Sequence, residues 1–157
     1  MNKKYIYLYI YIYMPNDCYN IIESIKHDNP KIIKRLKEAL GRKIPSFFTE
    51  FIPYPNNETP QSYWGTKWDV YEVNIEDETD NSLRVSFYTA WSPPLQGYAQ
   101  LQKLGFIIDA KFMESGFDFC GYWKEGIETI FENVHENIDN VPEEFHYYFY
   151  DEEEDDN

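Results

Sequence analysis

Apolar and polar residues alternate most strictly near the start of the chain, where Ile or Leu takes turns with Tyr through residues 5–13. A period of two places the aliphatic side chains on one face and the tyrosines on the other, which predicts a β-strand. A second strand is predicted at 21–25. The pattern then changes at Asp28-Asn29-Pro30, because Asn caps a helix and Pro fits its first position. Helical spacing of apolar residues predicts a helix that ends at Gly41 and exposes a basic face, formed by Lys31, Lys34, Arg35 and Lys37.

Strand and helix patterns follow each other in the middle of the chain. Two alternating segments flank an acidic turn, which predicts a hairpin. A pair of prolines marks the start of the next helix and a glycine marks its end. In order, the predicted elements are an extended apolar segment at 47–52, a loop, strands at 68–76 and 83–90, a helix from Pro93 to Gly105, and strands at 106–112 and 116–122.

The last part of the chain is predicted to be mainly helical. Residues 127–140 fit a helix or a strand, and the spacing of their apolar positions favours the helix. Another helix is predicted after Pro142, because two acids occupy its first turn, where the helix dipole favours them. Residues 151–157 read as a disordered, solvated acidic tail.

These elements predict an α+β protein. The order β-α-β-β-α-β is that of the ferredoxin-like arrangement with an antiparallel sheet. Residues 14–150 are expected to form its single domain, residues 1–13 an extra edge strand, and the C-terminal helices a further addition. No domain linker or internal repeat interrupts this pattern.

Charge is distributed unevenly along the chain. The net charge is −14; residues 1–50 hold nine Lys/Arg and five Asp/Glu, whereas residues 51–157 hold five and 23. Such a field repels nucleic acid, because affinity for phosphate comes from Lys and Arg. It suits a basic protein partner, or it serves solubility. The candidate contacts are the exposed acids expected in turns, helix starts and the tail, namely Asp77, Glu78, Asp80, Glu143, Glu144, Asp151, Glu152 and Glu153.

Motifs for catalysis or metal binding are missing. Cys18 and Cys120 are predicted to be buried free thiols, because two cysteines give neither a disulfide framework nor a metal spacing. His135 and Asp139 stand four residues apart and could present two metal ligands, but no third follows. There is no phosphate-binding glycine loop and no His-Glu-x-x-His. No metal, no cofactor and no direct nucleic-acid binding are therefore expected.

All four tryptophans lie between residues 63 and 123, and two segments that contain them are the strongest local signals. In Trp64-Gly65-Thr66-Lys67-Trp68 and Thr89-Ala90-Trp91-Ser92-Pro93-Pro94, a structural role is favoured. The tryptophans are expected to pack under the helices, and Ser92 to cap the helix that Pro93 starts. The alternative is a pocket near the strand ends, lined by Lys67, Asp69, Thr89, Trp91, Glu114 and Asp118, in which Lys67 could bind an anion or act as an acid.

The same segments carry a resemblance to a known family. Met14-Pro15-Asn16-x-Cys18-x-Asn20, the two tryptophan segments, and Glu114-x-Gly116-x-Asp118-Phe119-x-Gly121 resemble the motifs of the Api92-like (YubB-like) proteins of phages and plasmids, in the same order. The resemblance covers residues 14–125 and implies a ferredoxin-like fold and a mobile-element origin. It implies no catalytic residues. Asp17 departs from the tryptophan usual in the family. Residues 1–13 precede the usual start, so the resemblance leaves two alternatives, an added edge strand or a translation start at Met14.

Three functions follow as hypotheses. The first is a non-enzymatic acidic protein of a phage or mobile element, which inhibits a host defence factor, in the manner of an anti-CRISPR protein, by occupying its basic nucleic-acid-binding surface. It would act in the host cytoplasm, without a membrane. The second is a small ligand-binding domain or enzyme with a site near Lys67, Trp91 and Glu114. The third is a self-associating module whose residues 5–13 pair across a homodimer edge.

Overall fold

The computed structural model describes residues 16–150. The predicted strand at 5–13, its homodimer contact, and the tail with Asp151, Glu152 and Glu153 lie outside the described residues. In chain order the elements are β1 (Asp17–Lys26), α1 (Pro30–Leu40), α2 (Phe48–Phe51), α3 (Pro60–Trp64), β2 (Tyr71–Glu78), β3 (Ser82–Ala90), α4 (Leu95–Lys103), β4 (Ile107–Glu114), β5 (Phe119–Lys124), β6 (Ile127–Glu132), a 3-10 turn (Ile138–Asn140) and α5 (Glu143–His146).

The six strands form one sheet in the order β2-β3-β1-β4-β5-β6, and every neighbouring pair is antiparallel. The predicted α+β class with an antiparallel sheet is therefore confirmed. β1 lies in the middle, between β3 and β4, so its residues Ile22 and Ile25 are completely buried. β2 and β6 are the two edges of the described sheet.

Helices α1 to α4 cover one face of the sheet. Asn29 caps α1 as predicted, since its side chain accepts a hydrogen bond from the backbone N–H of Lys31, and Pro30 occupies the first turn. Leu36 and Leu40 of α1 and Tyr98 and Leu101 of α4 pack on the strands in the main hydrophobic core. Burying a side chain of this size stabilises the fold by roughly 1.5–3 kcal/mol, which explains why these amphipathic helices dock on the sheet.

The segment after β6 covers part of the opposite face. Val134, Val141, Phe145 and Phe149 of this segment pack on Ile21, Met113 and Cys120, which project from β1, β4 and β5. The helix predicted after Pro142 is confirmed as the single turn α5. Because this segment is apolar on its inner side, the central strands are buried on both faces.

Two predicted segments have a different structure. Residues 47–52 were expected to be extended, but they form α2, because the Asp69 carboxylate accepts the backbone N–H groups of Phe47, Phe48 and Thr49 and holds the helical turn. The expected loop before β2 contains α3, which a capping box of Thr59 and Ser62 starts. Both caps depend on one or two polar side chains rather than on an apolar period.

The helix predicted at 127–140 is also wrong. Glu125 and Gly126 adopt positive φ angles of 50° and 81°, which turn the chain into a hairpin. Residues 127–132 then pair with all of β5, from Phe119↔Glu132 to Lys124↔Ile127. The apolar spacing fits a helix, but the backbone hydrogen bonds of the hairpin decide the structure.

Candidate functional site

The two tryptophan segments meet at the end of the sheet where β1 begins. The Ser92 hydroxyl donates to the Gly65 carbonyl (2.5 Å), and the Thr66 hydroxyl donates to the Ala90 carbonyl (3.1 Å). Gly65 ends α3 with a φ of 87°, a conformation that glycine adopts without steric cost. Ser92 therefore locks the two segments together and does not cap α4, whose N-terminus has no side-chain cap.

The four tryptophans have different surroundings. Trp64 and Trp123 are buried as expected, and the Trp64 indole N–H donates to the Ile52 carbonyl at 2.8 Å. Trp68 and Trp91 are 38 % and 37 % exposed, so the prediction that all of them pack under helices is wrong for these two. Trp68 lies in the connection between α3 and β2, and Trp91 directly follows the end of β3, so neither belongs to a strand that a helix covers.

Lys67 contacts both exposed indoles. Its ammonium nitrogen lies 5.2 Å from the ring centroid of Trp68 and 4.6 Å from that of Trp91, distances typical of cation–π contacts. Trp91 has a φ of 67°, and its backbone N–H donates to the Asn16 carbonyl at 2.8 Å. We call these three side chains, Lys67, Trp68 and Trp91, the tryptophan rim.

Thr89 and Glu114, two of the predicted pocket residues, are buried and hydrogen-bonded within the fold. The Thr89 hydroxyl accepts from the Asn20 amide and donates to the Ser92 carbonyl, each at 2.8 Å. The Glu114 carboxylate accepts the backbone N–H groups of Gly116 (2.8 Å) and Phe117 (2.5 Å). These contacts close the turns at the sheet end, and both side chains are less than 5 % exposed.

Asp69 and Asp118, the remaining pocket candidates, do not point into a shared cavity. Asp69 accepts the backbone N–H groups that start α2. Asp118 accepts the backbone N–H of His135 at 3.0 Å, and the same carboxylate oxygen also forms a hydrogen bond with the Nδ1 atom of the His135 ring. Of the six predicted pocket residues, only Lys67 and Trp91 meet in the open.

The two thiols are not poised as nucleophiles. Burial raises the pKa of Cys18 far above the ordinary range, in spite of a hydrogen bond with Thr89. Burial and the nearby Asp118 carboxylate raise the pKa of Cys120 to about 12. Because the thiolate is the reactive form, neither group supplies a nucleophile at neutral pH.

The acids predicted as partner contacts are exposed but partly paired. Asp77, Glu78 and Asp80 lie at the β2–β3 turn, where Glu78 forms an ion pair with Lys37 of α1. A groove of about 440 Å³ separates this turn from the basic face of α1. On the other side of the sheet, a hydrogen bond from Tyr122 and the ammonium of Lys111 lower the pKa of Glu144. Glu143 is exposed beside it.

A more open acidic surface lies along β6. It comprises the exposed residues Glu125, Glu128, Glu132 and Glu136, which we call the acidic edge. Within residues 16–150 no cationic side chain lies within 4 Å of these carboxylates. Ile127 and Ile130 are exposed among them, at 68 % and 46 %. Sequence reasoning missed this surface because it favoured a helix here; the turn-forming Glu125-Gly126 was the available signal.

Comparisons of this chain with protein-family models, with curated proteins and with solved structures find no match. Within the described part of the chain, no helix is long and apolar enough to cross a membrane. In the same residues, no group of three or more His, Cys, Asp and Glu side chains is arranged to hold a metal ion.

Proposed function

We propose that this chain is an Api92-like protein with a ferredoxin-like core, carried by a phage or another mobile element. The element order from β1 to β4, with strands in the order β2-β3-β1-β4, supports the ferredoxin-like arrangement. The resembling segments also converge on one sheet end. Asn16 contacts Trp91, Ser92 contacts Gly65, and a Cβ added to Gly116 would lie 2.5 Å from the Asn16 amide. A shared set of contacts is a physical reason for such segments to occur together.

We further propose that the protein is a non-enzymatic inhibitor that covers the basic, nucleic-acid-binding surface of a host defence protein in the cytoplasm. The observation that carries this proposal is the acidic edge. Its carboxylates have no cationic partner among the described residues, so lysines and arginines of a partner would gain acceptors without breaking ion pairs of the fold. Complementary charge mainly accelerates association and selects the partner.

The edge position of β6 adds a second kind of contact. Within residues 16–150, β6 pairs only with β5, so its outer backbone groups are free to pair with an extended segment of a partner. Ile127 and Ile130 supply apolar area between the acids. Asp77, Asp80 and Glu143 are proposed as flanking contacts, whereas Glu78 and Glu144 already have cationic neighbours.

The test is capture of host proteins on the immobilised full chain at low and high salt. The variant Glu128→Gln/Glu132→Gln removes two charges from the acidic edge. Asp28→Asn/Glu38→Gln is the matched control, since it removes two exposed charges elsewhere. We expect a basic protein that the parent and the control retain at low salt and that the edge variant loses. Retention of no basic protein at low salt would refute charge mimicry, and equal loss from both variants would refute the role of the edge.

A second candidate function is a ligand-binding domain or enzyme at the tryptophan rim. The exposure of Lys67 beside Trp91 favours it, whereas Glu114 and Thr89 are buried and hydrogen-bonded within the fold, so neither is available to a ligand there. Melting temperature measured with nucleotides and metal ions separates the candidates. A rise of several degrees that Lys67→Ala abolishes and the acidic-edge variant preserves would support the second function.

A further inference from the structure

The tryptophan rim has a feature that packing does not explain. Trp91 holds a left-handed backbone conformation, with a φ of 67°, which is costly for a residue with a large side chain. Trp91 is more than a third exposed, so the burial of its side chain offsets only part of the free-energy cost of this backbone conformation. The backbone bond to Asn16 keeps this conformation in place. Strained residues that expose large side chains are frequently found at binding sites.

The two indoles of the rim already contact a cation of the protein itself, the Lys67 ammonium. The Lys67 ammonium contacts both indoles, and none of the other described side chains bonds to it. It therefore marks a position where the two rings together attract positive charge. A guanidinium is planar and stacks on aromatic faces better than an ammonium does.

Two carboxylates lie at the same end of the sheet as the rim. Asp17 pairs with Ala90 in the β1–β3 ladder, directly before Trp91, and its side chain accepts a hydrogen bond from the Tyr71 hydroxyl. Glu72 follows Tyr71 and is exposed. Within the described residues neither Asp17 nor Glu72 has a cationic partner within 4 Å. Negative charge without a cationic partner therefore lies at the same end of the sheet as the two rings.

We propose that the tryptophan rim is a slot for an arginine side chain of the basic protein partner, which displaces Lys67 on binding. The proposal rests on the proposed function, because it assigns an anchor to the same kind of partner. Tryptophan is enriched among the residues that dominate binding energy at interfaces. Exposed Phe117 lies at the same end of the sheet, in the turn whose Gly116 approaches Asn16.

Single-stranded nucleic acid is the other class of ligand that two exposed indoles and a lysine resemble. Asp17, Glu72 and the net charge of −14 disfavour it, because they repel phosphate. The two ligands make opposite demands on Lys67. An arginine has to displace it, whereas a phosphate would bind to it.

The test measures binding of a nona-arginine peptide, a nona-lysine peptide and a single-stranded oligo-dT by calorimetry. Trp91→Gly removes the ring and relieves the left-handed strain, so the fold is kept. We expect it to weaken nona-arginine binding roughly fivefold to thirtyfold and nona-lysine binding less. Lys67→Ala should tighten nona-arginine binding more than Lys103→Ala does. Lys103 is the matched control, since it is exposed near the opposite end of β1, where Gly105 approaches His27.

Several outcomes would overturn the slot. Equal peptide affinity in the parent and Trp91→Gly would do so, as would weaker nona-arginine binding in Lys67→Ala. Binding of oligo-dT that Lys67→Ala abolishes would assign the rim to nucleic acid instead. If Trp91→Gly still captures the host protein that the acidic-edge variant loses, the proposed function stands and the slot is wrong. If nona-arginine binding depends on Trp91 but no host protein is retained, the slot stands and the proposed function is wrong.

Discussion

Asp69 offers a sharp test of whether the polar residues of the sheet end are structural. Its carboxylate accepts the backbone N–H groups of Phe47 (3.1 Å), Phe48 (3.0 Å) and Thr49 (2.9 Å), and also that of Val70 (2.9 Å). The first three start α2, which has no capping side chain of its own. Asp69→Ala removes these acceptors at once and leaves the turn without a cap.

The loss of stability in Asp69→Ala depends on which of these backbone N–H groups water cannot reach once the carboxylate is removed. Phe47 and Phe48 are completely buried, whereas Thr49 is exposed and can turn to solvent. Leaving a buried donor unsatisfied costs about 1–3 kcal/mol, so we expect Asp69→Ala to lower the free energy of unfolding by about 2–4 kcal/mol. Asp69→Asn keeps one acceptor oxygen but loses the charge, so we expect a loss of about 1–2 kcal/mol.

Urea unfolding followed by tryptophan fluorescence measures these differences, because buried Trp64 packs against Phe48 with ring centroids 5.5 Å apart. Asp80→Ala is the control, since Asp80 is exposed at the β2–β3 turn; it should change stability by no more than about 0.5 kcal/mol. Both Asp69 variants within about 0.5 kcal/mol of the parent would refute the structural role. Intact stability with lost ligand binding would assign Asp69 to a pocket.

Three further predictions concern the sheet. Gly121→Ala should destabilise the fold by about 2 kcal/mol or more, measured by thermal melting, because the added Cβ would lie 2.1 Å from the Thr129 carbonyl. Burial raises the pKa of Glu23, but hydrogen bonds from Arg84 and Lys111 outweigh it and leave the pKa below the ordinary 4.5. The urea concentration at the unfolding midpoint should therefore decrease as the pH is lowered from about 5 to about 3. In Lys111→Met this decrease should be less steep. Because its pKa is raised to about 12, the Cys120 thiol should react with a disulfide reagent at pH 8 only after unfolding.

Each of these predictions has a contradicting result. A Gly121→Ala variant within about 0.5 kcal/mol of the parent would show that the β5–β6 pairing is looser than described. The same loss of stability with pH in Lys111→Met and the parent would remove Lys111 as the cause. Fast reaction of the folded protein with one equivalent of reagent would show an accessible thiol.

The parts of the fold that sequence predicted are those where the local pattern and the tertiary structure agree. Asn29 and Pro30 start α1, and the acidic turn at 77–81 joins β2 to β3, because both signals are local. The local pattern gave a wrong prediction for β6. Its apolar spacing favours a helix. Residues 127–132 are extended because they pair with β5, and the apolar spacing of a single segment carries no information about such pairing.

The candidate site was predicted in its members but not in their roles. The sequence indicated that the Trp64 and Trp91 segments belong together, and the bond between Ser92 and Gly65 joins them. It could not distinguish buried Trp64 from exposed Trp91, because a small residue follows each of them, Gly65 in one case and Ser92 in the other. The acidic edge was missed for the same reason as β6, since its exposure depends on the hairpin.

Competition with nucleic acid tests the central claim most directly. The immobilised chain is loaded with the basic host protein it retains at low salt, and duplex DNA is then added. If both occupy one surface of that protein, DNA should release it from the column, and the Glu128→Gln/Glu132→Gln variant should never retain it. Capture of DNA by the retained protein while it stays bound to this chain would contradict the claim.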